Sequence, residues 1–124
     1  MIPAYIFTIL FAIVEARADA RYIAIHATID HTRGWIRRAV FTSGVLAMFY
    51  AMEWVDVYWT TLIACAFLFS IAFRATLNTL RGYPISYISA SNFYDRLFLG
   101  LGPAGGEVAY FTELGGVMIF SLLG

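Results

Sequence analysis

Lysine is absent from this chain, cysteine occurs once, and charged residues make up only 13% of its 124 positions. Each scarcity excludes something. With no lysine, all eight basic residues are arginine. Arginine keeps its charge when partly buried and makes forked contacts with carboxylates and phosphates. That suits ion pairs near lipid headgroups, although codon bias would give the same composition. One cysteine, Cys65, allows neither an intrachain disulfide nor a thiolate metal cluster. In the run LIACAFLF it reads as a small packed hydrophobe. The formal net charge is zero, which removes the electrostatic case for nucleic-acid binding. The charged share is about half that of a soluble domain, while hydrophobic residues reach 61%. A soluble chain of this length buries too small a fraction of its surface to hide that much apolar area. A bilayer removes the difficulty. Composition therefore predicts one integral membrane domain, residues 1–124, with the lipid bilayer as its partner. The first sixteen residues lack the basic flank and cleavage pattern of a signal peptide and read as mature sequence.

Apolar runs and breakers divide the chain. Pro3 suits a first helical turn. Residues 2–14 are too short to span, since a bilayer needs about 20, so one long helix is expected over residues 3–32. Alanine-rich sequence carries it forward, and Gly34 stops it. A second helix is expected from near Trp35, with its apolar run over 39–52 bracketed by Trp35 and Trp54. A third runs from Tyr58 through Arg81, with Asp56 as its N-cap and Gly82 and Pro84 ending it. Ser91 or Asn92 caps a short helix near residues 93–99. The glycine-rich 100–106 stretch reads as a flexible break. Residues 107–124 read as a fourth membrane helix, spanning or half-inserted, with Glu113 turned away from lipid. The expected architecture is all-α: a multi-pass transmembrane bundle of three to four membrane helices, with a structured loop between helices three and four. Arginine placement puts residues 15–38 and 74–96 on the cytoplasmic side, and the N-terminus and the 53–56 turn outside.

The stretch EARADARYIAIHATID, residues 15–30, gathers the polar groups. At about 100° per residue it places Glu15, Asp19, Tyr22, His26 and Asp30 within roughly an 80° arc, and Arg33 and Arg37 would extend the stripe. Two carboxylates four residues apart can share a cation, and a histidine two turns on can add a ligand. A metal site of Glu15, Asp19 and His26, or a proton-handling site, is one reading. The plainer reading, which we favour, has these groups facing water or pairing with arginines of the third helix. No HExxH or ExxH pair is present, and His31 points off the stripe. Arg74, Asn78 and Arg81 share a face of the third helix. They would pair with Glu15, Asp19 or Asp30, or touch lipid or substrate phosphates. The loop RGYPISYISASNFYDR, residues 81–96, has the composition of a segment that docks back on a bundle. It lacks the GxSxG elbow of a hydrolase.

That loop also carries a resemblance. Its basic–Gly–X–Pro turn (Arg81, Gly82, Pro84), the aromatic after it and the closing Asp95–Arg96 resemble uncharacterised small multi-pass membrane proteins of tailed bacterial viruses and some bacteria. His31 and the Trp35–Ile36–Arg37 element are similar too. The resemblance implies a bacterial inner-membrane location and no particular activity. The leading expectation is a structural or accessory membrane protein, without enzymatic activity or cofactor, encoded by a virus. The alternative is a small membrane enzyme or an ion- or proton-handling protein that uses the stripe with Arg74 and Arg81. Small residues in SGVLA and ELGGV predict self-association or a membrane-protein partner.

Overall fold

Every fourth residue along the first helix is small. Ala4, Thr8, Ala12 and Ala16 are wholly or almost wholly buried, and this flat stripe lets a second backbone approach closely. The partner is the third helix, which offers Thr61, Ala64 and Cys65 in return. The computed structural model describes residues 1–28, 30–55, 58–89 and 93–123. Among them it contains five α-helices: α1 (Ile2–Ala24), α2 (His31–Ala51), α3 (Tyr58–Leu80), α4 (Phe93–Leu99) and α5 (Gly105–Leu122). A single 3-10 turn, Gly102–Ala104, precedes α5. No strand occurs among the described residues, so the fold is an all-α bundle.

α3 is the central element, packed on α1 along one side and α5 along the other. The Met1 ammonium donates to the Trp54 carbonyl at 2.9 Å, and the Tyr5 and Ser121 hydroxyls share a hydrogen bond of 2.6 Å. One end of the bundle therefore holds the N-terminus, the α2–α3 turn and the end of α5. A core of Ala4, Leu46, Phe49, Val55 and Cys65 fills that end. All eight arginines lie toward the other end.

Three helices end in the same way. The residue after the cap turns left-handed, at His26 (φ 54), Glu53 (φ 60) and Gly82 (φ 71). The amide beyond each donates to the carbonyl five residues back, as in Ala27 to Tyr22, Trp54 to Phe49 and Tyr83 to Asn78. This is the Schellman closure. It corrects the long first helix: α1 stops at Ala24, not near residue 32. Gly34 lies inside α2 and stops nothing. α2 begins at His31, because the Asp30 carboxylate accepts the Arg33 amide at 3.0 Å as an N-cap. The third helix and the short helix fall where the sequence puts them. Their expected caps, Asp56 and Ser91 or Asn92, lie outside the described residues. Residues 100–106 are a correction of a different kind. They form a packed turn rather than a flexible break. A Cβ on Gly105 would lie 2.1 Å from the Phe98 carbonyl oxygen, and one on Gly106 would lie 1.8 Å from that of Ser86. Only glycine permits this approach.

Among the described residues, one helix, Tyr58–Leu80, is both long and apolar enough to cross a bilayer, with a mean hydropathy of 1.7. The expectation of three to four such helices is met in α3 alone. α1, α2 and α5 each carry ionised residues within their length.

Candidate functional site

Two ion-pair networks occupy the arginine end. In the first, α1 presents Glu15 and Asp19 to α2. Arg38 donates through Nε to Glu15 at 2.7 Å and through Nη2 to Asp19 at 2.9 Å. Arg37 adds a second bond to Glu15 from the solvent side. The Arg38 guanidinium lies 4.5 Å from the Phe73 ring centroid, so aromatic faces from α3 complete its surroundings. In the second network, α3 supplies Arg74, which donates to Glu113 of α5 at 3.0 Å and to Asp95 of α4 at 3.5 Å. Glu113 is fully buried and also accepts from the Ser70 hydroxyl at 2.7 Å. The Tyr94 phenol, pushed up to about 12 by burial and by the neighbouring Glu113 carboxylate, stays a neutral hydrogen-bond donor at any ordinary pH.

The structure separates residues that the stripe placed together. Glu15 and Asp19 are buried as a pair. Tyr22 and Asp30 are exposed, and with Asp19 they line a shallow depression of about 330 Å³ between α1 and α2. Asp30 serves as the cap of α2 and pairs with exposed Arg33. His26 stands in the turn after α1, off the helical face, because α1 ends before reaching it. The pairing expected between these acids and the third helix runs elsewhere. α2 reaches Glu15 and Asp19 first, and Arg74 binds acids from α4 and α5. Asn78 is buried and structural, donating to the Ile85 and Tyr87 carbonyls at 2.9 and 2.7 Å and pinning the loop after α3. The docking of that loop was readable from its composition. Sequence reasoning missed Arg38 and Asp95 as partners. Arg38 lies just before the apolar run over 39–52, where it reads as an interface marker, and a pairing between distant segments leaves no local pattern.

A cavity of about 300 Å³ lies between the two networks. Its charged walls are Arg38, Arg74, Arg81, Asp19 and Asp95; its apolar walls include Ile23, Phe73 and Leu77. Among the described residues no group of three or more histidine, cysteine, aspartate or glutamate side chains is placed to hold a metal ion. Chemically, the site can hold helices in register and accept a small polar group in the cavity. Compared with models of protein families, with curated proteins and with solved structures, the chain gives no match.

Proposed function

We propose that this bundle sits in a bacterial inner membrane as a multi-pass protein with a structural or accessory role, its arginine end toward the cytoplasm. The division of its surface carries the reading. Ile2, Ile6, Leu10 and Val14 of α1, Val40 and Phe41 of α2, and Phe111, Met118 and Ile119 of α5 are all exposed. Large apolar side chains exposed along three helices are more than the scattered single ones usual on a water-facing surface, and lipid accepts them. The eight arginines gather at the opposite half, as the positive-inside rule asks of cytoplasmic segments. The charges that lower the hydropathy of α1, α2 and α5 include Glu15, Asp19, Arg38 and Glu113, all buried within the bundle. A hydropathy average counts them, but lipid would not meet them. Trp54 and Trp59 at one end and Trp35 at the other are exposed at the levels of two aromatic belts. Encoding by a virus rests only on the resemblance carried by residues 81–96 together with His31 and the Trp35–Ile36–Arg37 element. Self-association belongs to the same proposal. A Cβ on Gly44 or Gly115 would meet nothing within 4 Å, which leaves both positions open to a neighbouring helix, whereas Gly116 is already filled by the Phe67 ring.

The ion- or proton-handling alternative would draw on the cavity. Against it, Glu15 and Asp19 already hold arginines as their cations. Topology is the direct test. Single cysteines in place of Glu53 and Arg21, in a Cys65→Ala background, should label from opposite sides of the membrane with an impermeant thiol reagent. Labelling from one side only would refute the bundle's orientation.

A further inference from the structure

The cavity between the networks is required by neither of them. We propose that it binds the headgroup of an anionic phospholipid, with Arg81 as the cation that receives the phosphate; this rests on the membrane placement above. Arg38 and Arg74 are poor anchors for a ligand, because carboxylates already take up their forked donors. Arg81 differs. Among the described residues it has no carboxylate partner, and its guanidinium is stacked on the Tyr83 ring at 4.7 Å. Its depth also fits. The 23 residues of α3 rise roughly 34 Å at 1.5 Å per residue, enough to cross a hydrocarbon core of about 30 Å. Arg81 follows immediately, at the level of the headgroups.

The rest of the cavity complements a phosphodiester. The Trp35 indole and the His31 imidazole line it and have no hydrogen-bond partner among the described residues. Both can donate to phosphate oxygens. Ile23, Phe73 and Leu77 supply an apolar wall for the glycerol and the first acyl carbons. The volume of about 300 Å³ equals roughly ten waters of liquid, enough for a phosphoglycerol group. Asp19 and Asp95 also line the space, each bonded to an arginine. Their presence favours a diester, with one negative charge against one unpaired cation, over a doubly charged monoester. Basic pockets between membrane helices on the cytoplasmic side are where such headgroups bind.

The test is the thermal stability of the purified chain in a neutral detergent, titrated with short-chain phosphatidylglycerol, with phosphatidylcholine of the same chains, and with inorganic phosphate. Phosphatidylglycerol should raise Tm saturably, and the other two should not. Arg81→Gln should weaken the apparent affinity roughly tenfold, the size of one charge-assisted contact, and Arg81→Lys should recover most of it. If Arg81→Gln lowers Tm without lipid, Trp35→Phe, which removes only the indole N–H, carries the test and should weaken the response severalfold. An equal response to phosphatidylcholine would overturn the proposal, as would variants that respond like the parent chain. Inorganic phosphate acting as well as the lipid would assign the site to a soluble phosphate and overturn the lipid assignment. The titration is read in detergent, so its failure is distinguishable from a failed topology, which the thiol labelling reads separately.

Discussion

The two ion-pair networks use the same chemistry in different surroundings. Between α1 and α2, two acids meet two arginines, and Arg37 has a side chain 64% exposed. Between α3, α4 and α5, one arginine serves Asp95 and Glu113, and Glu113 has no exposure at all. The first network is balanced and reaches water at one edge, so losing the exposed Arg37 leaves Glu15 still paired with Arg38. The second keeps Glu113 wholly out of water. Removing Arg74 strands that carboxylate with only the Ser70 hydroxyl and the Tyr94 phenol beside it. Burial, more than the number of bonds, therefore decides which network the fold depends on.

Substitutions can break this contrast, starting with the largest effect. Arg74→Gln should destabilise the bundle by roughly 3–5 kcal/mol, the cost of leaving a buried carboxylate unpaired, read as a lower midpoint in denaturant or heat. Gly106→Ala should follow at about 1–3 kcal/mol, because the new methyl group would strike the Ser86 carbonyl and unseat the loop pinned by Asn78. Proteolysis within residues 82–92 should then quicken. Within the first network, Arg38→Gln should cost about 2–3 kcal/mol, while Arg37→Gln should fall in the range of about 0–1 kcal/mol typical of exposed pairs. Equal losses from the two would erase the distinction between them. The smallest effect has the opposite sign. His26→Gly relieves a left-handed backbone and should raise stability by about 1 kcal/mol or less.

That last position also shows what the sequence could and could not reveal. Three helices close by the same left-handed turn, yet only the one ending at Gly82 has glycine there. The end of α3 was legible for that reason. The ends of α1 and α2 were not, since His26 and Glu53 are ordinary residues held left-handed by backbone hydrogen bonds. The misplaced end of α1 then displaced the polar site. The stripe from Glu15 to Asp30 requires a helix running on to about residue 32, but α1 stops at Ala24, so His26 and Asp30 serve a turn and a cap. The inward turn of Glu113 was legible, because a lone acid in an apolar run has to find a partner. Which partner it finds depends on the crossing of α3 and α5, and spacing along one chain does not encode that crossing.

The buried charges tie the helices together, and Arg74 with Glu113 is the strongest of these ties. A double-mutant cycle of Arg74→Gln and Glu113→Gln, followed by thermal unfolding in detergent, tests it most directly. The pair of substitutions should cost less than the sum of the two single ones, by at least about 1 kcal/mol for side chains in contact. Strict additivity would contradict it, and so would an Arg74→Gln chain as stable as the parent.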